Sequence, residues 1–144
     1  MVIGLVSDHH GVEKRKKIKG YLEKKGYQVK DYGPYDSSSV DYPEYAYKLS
    51  MGIVNKEIDK GILMCGTGIG MSIAANKVKG IRCARIVSSK DAMYASLHNH
   101  ANEIAFSANL PFYKIKKMIN TYLETIPSED ERHVRRVNMI DTIK

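Results

Sequence analysis

A chain of 144 residues, 43% apolar and 27% charged, is sized and composed for one folded domain spanning 1–144, which excludes a disordered chain. No apolar run approaches the roughly 18 residues of a membrane helix, and Met1-Val2-Ile3-Gly4-Leu5-Val6 is too short and uncharged for a secretory signal, so a cytoplasmic protein with reduced Cys65 and Cys83 is expected. The net charge of +7 gathers in Lys14-Arg15-Lys16-Lys17-Lys19, Lys24-Lys25 and Lys114-Lys116-Lys117; no aromatic side chains interleave them, so they read as solvated helix faces and not as a nucleic-acid surface.

Val2 to Val6 is an apolar run of strand length, broken by Ser7-Asp8-His9-His10-Gly11. Val12 to Lys25 predicts a helix stopped by Gly26, with Val12, Ile18, Tyr21 and Leu22 facing inward. Tyr27 to Asp31 predicts a second strand, ended by Gly33-Pro34 and a polar loop over Tyr35-Asp36-Ser37-Ser38-Ser39. Asp41-Tyr42-Pro43-Glu44 has the form of a capping box, and Tyr42, Tyr45, Ala46, Leu49 and Ile53 then recur at helical spacing. Gly61 to Met64 predicts strand three and Ile73 to Lys77 a helix, with a glycine loop between them. Ile81 to Val87 predicts strand four, and Ser89 to Leu97 a helix capped by Ser88 or Ser89. His98 to Asn102 is a loop, Ile104 to Phe106 strand five, and Pro111 to Leu123 a helix opened by proline. Ser128 to Ile143 predicts a last helix.

Strands alternating with helices predict a parallel sheet covered on both faces. The expected fold is a Rossmann-like three-layer α/β/α sandwich with a five-stranded parallel sheet and a C-terminal helix. Ligands of such folds bind beyond the carboxyl ends of the strands, where Asp8 and His9 follow strand one and Cys65 to Ser72 follow strand three.

The stretch Cys65-Gly66-Thr67-Gly68-Ile69-Gly70-Met71-Ser72 carries the chemistry. Its glycines let the N–H groups of residues 66–70 converge on one anion, with a helix N-terminus behind them. The glycine spacing does not fit a dinucleotide fingerprint, and no Gly-Lys-Ser/Thr follows as a Walker loop needs. Met71 stands where the Cys-x5-Arg loop of a phosphatase needs its guanidinium. An oxyanion cradle remains. Cys65 is either a small buried hydrophobe or a thiolate favoured by its place between a strand end and a helix N-terminus. Cys83, inside a strand, reads as inert.

Asp8 and His9 suit either a helix cap or a ligand site, and His98-Asn99 either a helix end or a site. No tight ligand spacing joins His9, His10, His98, His100 and Cys65, so no metal is expected. Arg132 and Arg136, four apart, share a helix face that suits a phosphate dianion or plain solvation.

Taken together, Cys65 to Lys77, Asp8-His9 with Gly11, Asp41-Tyr42-Pro43, Gly80-Ile81-Arg82, His98-Asn99, and Arg132-His133 with Arg136 strongly resemble the type B ribose-5-phosphate isomerases, in the same order over nearly the whole chain. The resemblance implies an aldose–ketose isomerase that interconverts ribose 5-phosphate and ribulose 5-phosphate through a cis-enediolate. It implies that Cys65 is the base moving the proton between C2 and C1, and that His98 opens the sugar ring. Asp8 and His9 would bind sugar hydroxyls or phosphate, Asn99 and the loop Gly66, Thr67, Gly68, Ile69 and Gly70 would also bind the substrate, and Arg132 and Arg136 would hold the phosphate. It implies no cofactor, no metal, and a homodimer or tetramer whose active sites combine both subunits. An isomerase of a six-carbon sugar phosphate, such as allose 6-phosphate or galactose 6-phosphate, and a non-catalytic phosphosugar-binding protein are the alternatives. The chain departs from the family in Asn109, where an arginine is common, in Glu131, where glycine is common, and in the additional imidazole of His10.

Overall fold

The computed structural model describes residues 1–35 and 38–143; within the expected polar loop, Asp36 and Ser37 lie outside the described residues. The described residues form strands β1 (Val2–Ser7), β2 (Gln28–Asp31), β3 (Lys60–Cys65), β4 (Cys83–Arg85) and β5 (Glu103–Ser107). These make one sheet in the order β2-β1-β3-β5-β4, every neighbouring pair parallel. Helices α1 (Val12–Lys24), α2 (Tyr42–Val54), α3 (Ile69–Asn76), α4 (Ser89–Leu97), α5 (Phe112–Glu124) and α6 (Glu131–Thr142) fill the connections and the C-terminal end. The expected α/β sandwich with a five-stranded parallel sheet is therefore the observed fold.

The core lies in two layers. On one face Ile3, Leu5, Ile62, Met64, Ile104 and Phe106 pack against residues of α1, α4 and α5, such as Ile18, Leu22, Ala92, Ile115 and Met118. On the other, Val6, Leu63 and Ala105 pack against Ala46 and Leu49 of α2 and Met71 and Ala75 of α3. β3 is buried on both faces, which is why Gly61-Ile62-Leu63-Met64 is an unbroken apolar run without alternation. Gly26 ends α1 as expected, at φ 94°, its N–H donating to the Glu23 carbonyl. Among the described residues, no helix is long and apolar enough to cross a membrane.

Several local expectations differ from the structure, among them the start of α3, which begins at Ile69 inside the expected glycine loop and not at Ile73. Asp41 precedes α2 without a side-chain cap bond, and the Glu44 N–H is bonded to the Asp41 carbonyl instead. Tyr42, expected in the buried face of α2, is 38% exposed, because the helix buries Ala46, Leu49, Ser50 and Gly52. β4 is short: the Asn102 side chain takes the Arg82 N–H before it, and Asp91 takes the Val87 N–H after it. The last helix starts at Glu131, where Asp130 accepts from the Arg132 N–H.

Another difference is larger. Arg15, read as part of a solvated basic cluster, is buried. Its Nε lies 2.9 Å from Asp31 Oδ1 at the end of β2, Nη1 donates to Ser7 Oγ at the end of β1, and Nη2 donates to the Pro34 carbonyl. One side chain of α1 thus ties together the carboxyl ends of two strands beside Asp8.

At the opposite end of the sheet, Glu103 is fully buried at the start of β5. Ser50 Oγ donates to its Oε2 at 3.2 Å, while Oε1 has no hydrogen-bond partner among the described residues. Burial pushes the Glu103 carboxyl up to about 8 from an ordinary 4.5, against the opposing effect of the Ser50 bond. The folded chain therefore binds a proton that the unfolded chain has released. This contribution to stability is full below the unfolded value and is lost as pH rises through the folded value. Glu103→Gln is expected to flatten the dependence of Tm on pH over that window and to melt about 5 °C above the parent at its alkaline end; thermal melts across the window measure it.

Candidate active site

The strand order puts the carboxyl ends of β1, β3 and β5 side by side: Ser7 pairs with Met64 and Cys65 with Ser107. This is the topological switch point, where successive crossovers leave in opposite directions and open a crevice. The turn after β1, the glycine loop after β3 and the Ser107-Ala108-Asn109 turn after β5 converge there.

Asp8 opens the crevice from β1. Its N–H donates to the Met64 carbonyl, its Oδ1 accepts the His10 N–H at 3.0 Å, and its Oδ2 lies 3.2 Å from His10 Nδ1. The local fold is a single 3-10 turn, His9–Gly11, capped by Asp8. His9 Nδ1 accepts the Val40 N–H at 3.4 Å, and its ring lies 4.1 Å from that of His10. Asp8, His9 and His10 present ligand-type atoms within 4.8 Å of one another, so they are the residues that could hold a cation. His98 and His100, considered with them as metal ligands in the sequence, lie at the other end of the sheet.

Cys65 closes β3 with 7% of its surface exposed, and its Sγ accepts the Gly68 N–H at 3.1 Å. The loop's three glycines have different neighbours. Gly66 has open space where a Cβ would sit. Gly68 has φ 79°, and a Cβ there would stand 2.7 Å from the Phe106 backbone. A Cβ on Gly70 would meet the Tyr42 ring at 2.6 Å.

The expected convergence of five N–H groups on one anion is only partly realised. The Gly68 N–H is directed to Cys65 Sγ and the Ile69 N–H to Thr67 Oγ1 at 3.1 Å. Among the described residues the Gly66 and Thr67 N–H groups have no acceptor, and Gly70 lies in the open first turn of α3. The loop is held from behind: Ser107 Oγ donates to the Gly66 carbonyl at 2.7 Å, Asn109 Nδ2 to the same oxygen at 3.4 Å, and Arg85 to the Thr67 carbonyl. Asn109, at the position where an arginine is common, thus braces the loop. Cys83 is a different thiol: burial, with the Glu103 charge adding, pushes it well above the ordinary range and keeps it protonated.

His98, Asn99, Arg132 and Arg136 are elsewhere. α4 runs antiparallel to the strands, so its C-terminal residue and the loop before β5 lie at the amino edge of the sheet. β5 separates that edge from Cys65 by about 13 Å of strand. There the His98 ring stacks on His133 of α6 at 4.3 Å and 7°, with Tyr94 4.8 Å away on α4. Desolvation, then the charges of His98 and Arg132, pull His133 below the usual histidine range, and Arg136 acts in the same direction. Arg132 Nε is 3.6 Å from Asp130 Oδ2. The Asn99 carbonyl accepts from Arg82 Nε. The candidate residues therefore form two groups within one chain: Asp8, His9, Cys65 and Gly66–Gly70 at the carboxyl edge, and His98, Asn99, Arg132 and Arg136 at the amino edge.

The sequence reading gave Arg85 no part in the site, and named Tyr42 and His133 only within the motifs that carry the resemblance. For Arg85, the available signal was a charged residue within the predicted strand Ile81 to Val87, near its carboxyl end.

Comparison with known proteins agrees with this architecture. The Ribose/Galactose Isomerase family matches residues 3–140. Ribose-5-phosphate isomerase B of Escherichia coli (strain K12) is 36% identical over 137 residues, covering 95% of this chain and 92% of that protein. The structure of ribose-5-phosphate isomerase B from Clostridium thermocellum superposes with a TM-score of 0.94 at 39% identity, over 98% of this chain and 95% of that one. The enzyme from Mycoplasma genitalium with bound ribulose-5-phosphate gives 0.91 at 37% identity, over 97% and 93%. With the motifs, the strand order and nearly the full length in agreement, this chain belongs to the ribose/galactose isomerase family.

Proposed function

We propose that the 1–144 chain is a sugar-phosphate isomerase domain that interconverts ribose 5-phosphate and ribulose 5-phosphate. The observation that carries this reading is one thiol, Cys65, at the mouth of a glycine loop with uncommitted N–H donors, at the switch point of a parallel sheet. Cys65, as thiolate, takes the C2 proton; the electron pair left behind forms the C1–C2 double bond and the negative charge moves to O1. The N–H groups of Gly66, Thr67 and Gly70 face that charge as it develops. The hydroxyl proton passes from O2 to O1, and Cys65 returns its proton to C1, completing the ketose. His98 serves ring opening, Asp8, His9 and Asn99 hold hydroxyls, and Arg132 and Arg136 hold the phosphate and so fix the reacting carbons.

These roles need two chains. Cys65 and His98 stand at opposite edges of one sheet, so a single substrate is enclosed only when the amino edge of a second copy meets the carboxyl edge of the first. Ile69 and Ile73 on α3 and Met139, Ile140 and Ile143 near the end of the chain are exposed apolar side chains suited to that contact. A homodimer with two shared sites follows. Mixing inactive Cys65→Ala and His98→Ala proteins through denaturation and refolding is expected to restore about a quarter of parental activity, since half the dimers are mixed and each holds one intact site. No recovery would place both residues in one chain's site.

The function is tested by ranking kcat/KM for ribose 5-phosphate, allose 6-phosphate and galactose 6-phosphate. Preference for the five-carbon substrate is expected. Preference for a six-carbon sugar would reassign the substrate, and binding without turnover would make the chain a phosphosugar-binding protein.

A further inference from the structure

Arg85 stands at the carboxyl end of β4, a strand outside the three that frame the crevice. Its Nε and Nη2 both donate to one atom, the Thr67 carbonyl oxygen, at 3.2 and 3.1 Å. That oxygen belongs to the same peptide unit as the Gly68 N–H, which donates to Cys65 Sγ at 3.1 Å. In a trans peptide the C=O and N–H point in opposite directions, so guanidinium and sulfur face each other across one rigid plane.

From this relay we infer that Arg85 is a positioning residue for the isomerase: it orients and polarises the Thr67–Gly68 peptide so that its N–H supports negative charge on Cys65 Sγ. The inference rests on the reading of Cys65 as the base. A cation at the carbonyl draws electron density toward oxygen and leaves the N–H a stronger donor. The two donors also fix the rotation of the plane. On its other side Gly68 lies close to the next strand, where a Cβ would stand 2.7 Å from the Phe106 backbone. The third component is the sulfur: a donor aimed at it gains most when the sulfur is ionised, as proton abstraction from carbon requires. Arg85 does all this without touching the sugar.

The test compares Arg85→Met, which keeps the stem and removes every donor, with Arg85→Lys, which keeps a charge. Readouts are kcat and KM with ribose 5-phosphate, and the rate at which iodoacetamide labels Cys65 at neutral pH, located by peptide mass mapping so that Cys83 is not counted. In Arg85→Met, labelling is expected to slow about threefold and kcat to fall about fivefold with KM little changed, while Arg85→Lys recovers most of both. Arg85 is exposed, so thermal melts of both variants are expected to match the parent. An unchanged labelling rate in Arg85→Met overturns the proposal. So does a raised KM with kcat and labelling intact, which would make Arg85 a substrate ligand. Failure of the base assignment is seen separately, as activity retained by Cys65→Ala, and leaves the labelling comparison to decide the role of Arg85.

Discussion

Cys65→Ala is expected to lower kcat for ribose 5-phosphate about a thousandfold, in the range that positioned acid–base groups supply, while KM changes little. The thiol is small and alanine keeps its Cβ, so the variant should remain folded, with a melting temperature close to the parent. Retained secondary structure together with lost turnover would separate chemistry from stability. Cys65→Ser is the sharper comparison: it keeps a hydrogen-bonding atom near the Gly68 N–H but replaces the thiol with a hydroxyl, a group that ionises far less readily. It should be nearly as slow as alanine. A Cys65→Ala enzyme of unchanged rate would remove the base assignment and with it the proposed mechanism. Cys83 supplies the internal control, since its protonated, enclosed thiol predicts little catalytic effect on substitution by alanine.

Arg15→Met is expected to cost about 3–5 kcal/mol of unfolding free energy, the usual consequence of removing one partner from a buried ion pair. The substitution fills much of the same volume but leaves the Asp31 carboxylate without its cation and Ser7 Oγ and the Pro34 carbonyl without their donor. Urea unfolding at constant m measures the loss. Arg15→Lys should recover only part of it, because a point charge cannot serve three acceptors in a planar fork. Ser7 and Asp31 end neighbouring strands and Asp8 is next in the chain, so kcat/KM should fall along with stability. A cost below about 1 kcal/mol would mean that the network contributes little net energy.

Much of the architecture was legible because burial writes itself into apolar runs. β1 and β3 carry them, Gly26 and Gly33 punctuate them, and Pro111 opens α5. Three kinds of information were not local. The burial of Arg15 depends on Asp31, Ser7 and Pro34 meeting in space; within Lys14-Arg15-Lys16-Lys17 nothing marks Arg15 as the cation that is buried. The length of β4 is set by side chains of Asn102 and Asp91, which take the backbone donors at its ends. The loop donors are partly committed because Cys65 and Thr67 accept from within the loop itself, a choice among several partners that spacing alone leaves open. The division of the candidate site was deducible in principle: in a parallel sheet every crossover helix ends at the amino edge, so His98 at the end of α4 and Cys65 at the end of β3 belong to opposite sides.

The three glycines of the loop also constrain how this sequence can drift. They are identical as letters, yet the structure gives each a different obstacle. Position 66 has open space where a Cβ would sit, so no neighbour of the fold opposes a change there and only its place in the proposed cradle does. Position 70 is blocked by a side chain, so a larger residue there becomes acceptable only after Tyr42 has been replaced, and the order of the two changes decides whether the intermediate survives. At position 68 the obstacle is the Phe106 backbone together with a left-handed conformation, and no exchange of a neighbouring side chain removes either. The loop is therefore a fixed point at 68, an epistatic pair at 70 and 42, and at 66 a site that packing leaves open.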